Sequence, residues 1–255
     1  MKEFWEKQAR EHGENVTAVN FDPIAEQIET KLLEELIADG FSVADVGCGN
    51  GGTLIELALA RPNGTFVGYD FAQGMVDVAE AHRNRIGLKN VRFVQFDATS
   101  PSIPEREAHD IVLGKRLLIN IKGSAKLQAL KNIYAMLKPN GVYIMIECFL
   151  EPLERINDIR SRLGLDQIIV RSFNEYLKAS FMKEIGRYFV VEKLIDRGSL
   201  YYFISRVFNA YLSGGKPEYQ APINKLAAQL TLEGVQPMQG YAPEVTYLLK
   251  KKTLS

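Results

Sequence analysis

Apolar positions in this chain keep two different rhythms. In 4–12 and 22–38 they recur every three or four residues, the spacing of one helical face. In the second segment Ile24, Ile28, Leu32, Leu33, Leu36 and Ile37 form the stripe. Asp22 before Pro23 reads as a cap followed by a first-turn proline, and Gly40 as a stop. From residue 41 short apolar runs bounded by turn residues alternate with helical stretches. Strands are predicted over 41–46, 65–69, 91–96, 110–113 and 142–146, and helices over 51–60, 73–85 and 126–137.

Regular strand–helix alternation predicts a parallel sheet covered by helices on both faces. Beyond residue 150 helical segments are expected near 153–162, 174–184, 200–212 and 221–230, with strands over 189–195 and 245–249. The fold class read from this pattern is α/β: a doubly wound, mostly parallel seven-stranded sheet. Residues 1–255 form one domain in this reading, with 1–40 as an N-terminal helical cover. Residues 198–243 are a helical insertion before the last strand, placed to act as an acceptor lid.

Composition narrows the function without choosing it. Apolar residues make up 46% and charged residues 24%, as in ordinary globular proteins. Lys and Arg total 31, equal to Asp and Glu, so the chain has no long-range attraction to nucleic acid or anionic membrane. Cys48 and Cys148 belong to no CxxC pair, and no metal site is expected. The N-terminus lacks a signal-like apolar stretch and no run reaches the roughly 18–20 apolar residues of a membrane span. A cytoplasmic location follows as the expectation.

The segment Asp45-Val46-Gly47-Cys48-Gly49-Asn50-Gly51-Gly52 carries most of the chemistry. Glycines after a buried strand let the backbone turn sharply and approach a ligand closely. The following helix offers free N–H groups and the positive end of its dipole. Gly47, Gly49 and Gly52 also satisfy GxGxxG, which alone fits a dinucleotide fold as well. Asp45 separates the two readings: a carboxylate beside the loop repels a pyrophosphate but suits a ligand bearing a sulfonium and an α-amino group. Asp70 ends the second strand, where an acid can accept both ribose hydroxyls in either ligand class, and Asp97 ends the third, in reach of an adenine amino group.

With Gly68-Tyr69-Asp70, Phe96-Asp97-Ala98, Asp110-Ile111-Val112 and Leu137-Lys138-Pro139-Asn140-Gly141-Val142 in the same order, the chain resembles the class I (Rossmann-like) S-adenosylmethionine-dependent methyltransferases, small-molecule branch. The resemblance covers roughly 24–147. It implies S-adenosylmethionine as methyl donor and S-adenosylhomocysteine as product. It implies a donor site of Asp45, Gly47, Cys48, Gly49, Gly51, Asp70, Phe71, Asp97 and Ala98. In it Asp70 holds the ribose, Phe71 stacks on adenine, Asp97 and Ala98 meet the adenine, and the 47–51 backbone meets the methionine end.

Methyl transfer is an in-line displacement from an activated donor, so positioning does most of the work. A base is needed only where the acceptor must lose a proton. The resemblance places the acceptor beyond the fourth and fifth strands. Arg116, Asn120, Arg155, Tyr201, Tyr202 and Arg206 are the expected acceptor contacts, and Glu147 and His12 the candidate catalytic groups. Arginine forks suit carboxylate or phosphate, so an anionic acceptor methylated at oxygen is expected. The segments 116–120 and 201–206 are similar to bacterial methyltransferases of surface-glycan or nucleotide-sugar modification, which adds a sugar-linked acceptor to the expectation. A small-molecule acceptor and a homodimer are the expected partners, with no membrane and no nucleic acid. Competing readings are an RNA or protein methyltransferase, against which the absence of an Asn/Asp-Pro-Pro-Tyr motif counts for nucleic-acid bases, a nicotinamide dehydrogenase, and a non-catalytic binding protein of this fold.

Overall fold

A computed structural model describes residues 1–235 and 238–253. Residues 236–237, inside the expected insertion, and 254–255 lie outside the described residues. Seven strands form one sheet in the order β3-β2-β1-β4-β5-β7-β6. They are β1 (Ser42–Val46), β2 (Thr65–Asp70), β3 (Val91–Gln95), β4 (His109–Lys115), β5 (Leu137–Cys148), β6 (Phe189–Ile195) and β7 (Glu244–Lys251). The first five run parallel, and β7 lies antiparallel between β5 and β6. The seven-stranded, mostly parallel α/β sheet expected from the sequence is the one observed.

The helices are α1 (Lys2–His12), α2 (Pro23–Leu36), α3 (Gly52–Ala60), α4 (Gln73–Ile86), α5 (Ala125–Met136), α6 (Leu150–Arg162), α7 (Met182–Ile185), α8 (Ser199–Phe203), α9 (Asn209–Leu212) and α10 (Pro222–Leu232). Two apolar layers hold them to the sheet. Leu33, Leu54 and Leu57 pack with Val43, Ile111 and Ile144 on one face, and Leu118, Leu130 and Ile133 with Val112, Tyr143 and Leu249 on the other. A fully buried side chain of this size contributes about 1.5–3 kcal/mol. None of the helices of the described residues is long and apolar enough to cross a membrane.

The first cap is as expected: Asp22 accepts from the N–H groups of Ile24 and Ala25, with Pro23 at the first helical position. Two later segments differ from the pattern. Over 174–184 only a 3₁₀ turn (Ala179–Phe181) and the four-residue α7 form. The N–H groups of Glu175 and Leu177 instead donate to Ile119 and Cys148, so tertiary partners have taken the bonds a helix needs. The aromatic run after Gly198 is broken by a π-helical turn, Ile204–Phe208, between α8 and α9. Such turns are frequent at functional sites.

Candidate active site

The carboxyl ends of the parallel strands open into a cavity of about 670 Å³. The glycine loop lies between β1 and α3. Gly49 has φ +56°, and a Cβ there would lie 2.5 Å from Val19 of the N-terminal segment. Glycine is therefore required by backbone conformation and by the close approach of the cover. Asn50 fastens that cover, donating to the carbonyls of Gly13 (3.0 Å) and Asn15 (3.1 Å). Glu6 of α1 adds a second tie by accepting from Gly74 N–H at the start of α4, 3.0 Å.

Three acids stand at three successive strand ends and face this space: Asp45, Asp70 and Asp97. Asp70 accepts from Gly49 N–H (3.0 Å) and Ala72 N–H (2.9 Å), which fix its carboxylate, and burial pushes its pKa up to about 6. Asp97 accepts from Thr99 N–H and Oγ1 at its Oδ1. Asp45 is only 3% exposed and its Oδ1 has no hydrogen-bond partner. Burial pushes its pKa up to about 7, opposed by Lys115 and reinforced by Asp70. A buried carboxylate oxygen left unpaired is costly. On a residue that lines the cavity, this carboxylate fits the ammonium of an amino-acid moiety. Gly47, Cys48, Phe71 and Ala98 line the same half of the cavity.

Gly51 does not line it. Its φ of +77° starts α3, and a Cβ would press on Ala79 and Phe93 at 2.7 Å, so this glycine serves packing beneath the loop.

The other half is built by α2, the end of β4, α8 and the start of β7, and its centre is an ion-pair network. Arg116 donates to both oxygens of Glu29 (2.8 and 2.7 Å), to Glu26 (2.9 Å) and to Glu244 (2.5 Å). Lys115 bonds Glu26 and Thr53 Oγ1. Burial would raise Glu26, but Lys115 and Arg116 outweigh it and hold that carboxyl well below its usual range. Glu29 goes the other way: burial, with Glu244 and Glu26 close by, lifts it well above the usual range despite Arg116. Arg206 donates to Asp22 at 2.7 Å, and Tyr201 hydroxyl donates to the same carboxylate at 2.8 Å.

These contacts correct several sequence expectations. Arg116, Asn120, Tyr201, Tyr202 and Arg206 do line the cavity, but both arginines are already engaged by carboxylates. Arg155 is elsewhere: its Nε donates to the Gly240 carbonyl at 2.8 Å, outside the cavity lining. The expected anionic acceptor loses its three arginines.

Glu147 is completely buried and does not line the cavity; it accepts from Leu118 N–H (2.5 Å) and Ile119 N–H (3.2 Å). Burial pushes its pKa up to about 8. It shapes the 116–120 turn from behind and cannot touch a reactant. His12 is also outside the lining, its Nδ1 3.4 Å from Thr17 Oγ1.

Sequence reasoning missed Asp22, Glu26, Glu29, Lys115 and Glu244 as cavity residues. One signal was present: Asp22, Glu26 and Glu29 share a helical face beside an apolar stripe. Buried cations at Lys115 and Arg116, directly after a buried strand, also demand acidic partners.

A model of a methyltransferase domain matches residues 37–191. The chain is similar to the demethylmenaquinone methyltransferase of Lactococcus lactis subsp. lactis, 32% identical over 109 residues, 42% of each chain. It is 23% identical over 149 residues to the carboxy-S-adenosyl-L-methionine synthase of Nautilia profundicola, covering 58% of this chain and 62% of that one. It thus spans less than two thirds of the length of these relatives. A solved TehB-like SAM-dependent methyltransferase from Corynebacterium glutamicum superposes with a TM-score of 0.53 at 14% identity, covering 88% of both chains, a likeness of fold.

Proposed function

The chain belongs to the methyltransferase domain family, and on that premise we propose that it transfers the methyl group of S-adenosylmethionine to a small molecule. The observation that carries this reading is Asp45. Asp45 lines the cavity beside the glycine loop, buried and with its Oδ1 unpaired, in line with Asp70 and Asp97 at the next two strand ends.

The donor supplies a methyl group on a positively charged sulfur. This chain's residues do the rest. Asp45 would take the donor's ammonium and Asp70 its ribose hydroxyls, on lone pairs that Gly49 and Ala72 leave free. Asp97 would meet the adenine amino group through Oδ2, which has no partner among the described residues. The N-terminal cover, tied by Asn50, would keep water from the reacting atoms. A cavity of about 670 Å³ beneath the N-terminal cover and α8 favours a small acceptor over a protein or RNA chain. An acceptor at oxygen, as the sequence reading has it, rests on no feature of this cavity.

Calorimetry tests the reading. S-adenosylmethionine and S-adenosylhomocysteine should both bind, NAD should not, and Asp45→Asn should weaken both adenosyl ligands. Tight NAD binding with neither adenosyl ligand bound would overturn it.

A further inference from the structure

Five lysine and arginine side chains line the cavity, and carboxylates engage four of them. Lys115 is held by Glu26 and Glu29, Arg116 by Glu26, Glu29 and Glu244, Arg197 by Glu35, and Arg206 by Asp22. The fifth is Arg171. Among the described residues its guanidinium has no carboxylate partner and no hydrogen bond; it lies over the ring of Phe21, 4.2 Å from the centroid, with the Phe173 ring at 5.8 Å. A ring face covers one side of a guanidinium and leaves its N–H edges free. The planar fork is thus held ready for a carboxylate or phosphate.

The backbone on both sides of Arg171 is pinned. Asn157 of α6 accepts from Ile168 N–H at 2.8 Å and donates to the Ile168 carbonyl at 3.0 Å. On the other side the Ser172 carbonyl accepts from Lys122 at 3.0 Å, the Asn174 amide donates to Asn120 Oδ1 at 2.9 Å, and Glu175 N–H donates to the Ile119 carbonyl at 2.7 Å. These bonds fasten the segment to the turn after β4, on the acceptor side. Phe21 directly precedes Asp22, whose carboxylate is taken by Tyr201 and Arg206 and makes no ion pair with Arg171. A second observation concerns the same rim. Phe21, Ile169 and Tyr219 line the cavity and are exposed, Ile169 at 86%. They come from three separate segments, and apolar side chains left in the open around one cavity mark a ligand surface. The acceptor side therefore ends in a guanidinium without a carboxylate, set among apolar side chains.

We propose that the acceptor carries an anionic group, a carboxylate or phosphate, held by the Arg171 fork, and an apolar portion that lies against Phe21, Ile169 and Tyr219. The inference rests on the methyltransferase reading and deepens it by naming the acceptor's class. The anion serves as a handle: two parallel N–H···O bonds fix one end of the molecule and thereby the direction of the rest. Orientation is most of what transfer from an activated donor requires. Arg171 is thus a specificity-determining residue, in the role that the sequence suggested for Arg116, Arg155 and Arg206.

The test uses the full chain saturated with S-adenosylhomocysteine and four probes on one frame: 3-phenylpropionate, 2-phenylethyl phosphate, 2-phenylethanol and phenethylamine. Calorimetry should find at least one of the two anions bound about tenfold or more tighter than the alcohol, with the amine weakest. Which anion binds tighter tells carboxylate from phosphate. Arg171→Gln should cut the preference for the anion over the alcohol to less than about threefold. Arg171→Lys should keep only part of it, because lysine retains the charge and loses the fork. In both variants the S-adenosylhomocysteine dissociation constant should stay within about threefold, which also shows that they are folded. Binding of neither anion, equal or tighter binding of the alcohol or the amine, or a preference that survives Arg171→Gln overturns the proposal. So does an S-adenosylhomocysteine affinity that falls in step with the anion's, which would give Arg171 to the donor's carboxylate. Failure of S-adenosylhomocysteine itself to bind the unsubstituted protein strikes instead at the methyltransferase reading.

Discussion

The two halves of the cavity are built by opposite means. In the donor half each acid sits at the end of its own strand, and its partners are close in sequence or on the adjoining strand. Asp97 is held by Thr99, and Asp70 by Ala72 and by Gly49 across the sheet. In the acceptor half every acid–base contact is long-range. Arg116 of the β4 end reaches Glu26 and Glu29 of α2 and Glu244 at the start of β7, and Arg206 reaches back to Asp22. Asp45 keeps a carboxylate oxygen unpaired, while Lys115, Arg116 and Arg206 are engaged by carboxylates of the cavity wall itself. A ligand common to a whole family can be met by a local motif. A particular acceptor is met by side chains that only the folded chain assembles.

The largest expected effect tests whether Arg116 is structural. Arg116→Met should lower the unfolding free energy by about 3–5 kcal/mol, because buried Glu26 and Glu29 are left with Lys115 alone and Glu244 loses its only ion pair among the described residues. Urea denaturation measures it, and a change below about 1 kcal/mol would mean that the network is not what holds α2 to β4.

Next comes the donor half. Asp70→Ala should raise the S-adenosylhomocysteine dissociation constant about 100-fold or more, since two charge-assisted bonds of about 1.5–3 kcal/mol each are lost. Folding should suffer less, because only the Gly49 and Ala72 N–H groups lose a partner. An unchanged dissociation constant would take Asp70 out of the site.

A third substitution sharpens the link between glycine loop and cover. Gly49→Ala should weaken donor binding about tenfold, from left-handed backbone strain of about 1–2 kcal/mol and the collision with Val19. Adding Val19→Ala should recover part of the loss. A double variant no better than the single one would show that the cover does not press on the loop.

The pH dependence follows from Asp45. Its folded pKa is about 7, above the ordinary 3.8. Between those values the folded chain binds more protons than the unfolded one, so this group's contribution to stability is full below pH 3.8. It is lost as pH rises to about 7. Donor binding runs the other way, because an ammonium needs the ionised carboxylate. Affinity should fall about tenfold per unit below pH 7 and level off above it. Asp45→Asn should flatten the profile, measured by calorimetry from pH 5.5 to 8.5.

The smallest effect belongs to Arg155. Arg155→Ala should change stability by less than about 0.5 kcal/mol and leave both ligands' binding alone, since the side chain reaches only Gly240 at the surface. A loss of acceptor binding in this variant would reopen the arginine reading.

Sequence periodicity alone determined the sheet and most of its helices, and motif order put Asp45, Asp70 and Asp97 at successive strand ends. Those features depend on residues adjacent in the chain: an apolar run makes a buried strand, glycines end it, and an acid beside them faces whatever the loop holds. Only the tertiary structure decided the fate of the arginines, Glu147 and the segment 174–184. A guanidinium beside a strand end looks the same in sequence whether it waits for a ligand or is consumed by Glu26, Glu29 and Glu244. A glutamate at the end of β5 looks like a base until the neighbouring turn donates two N–H groups to it and burial seals it off. Burial and pairing are properties of distant neighbours. Charge becomes function at the point where folding decides which groups are left unsatisfied.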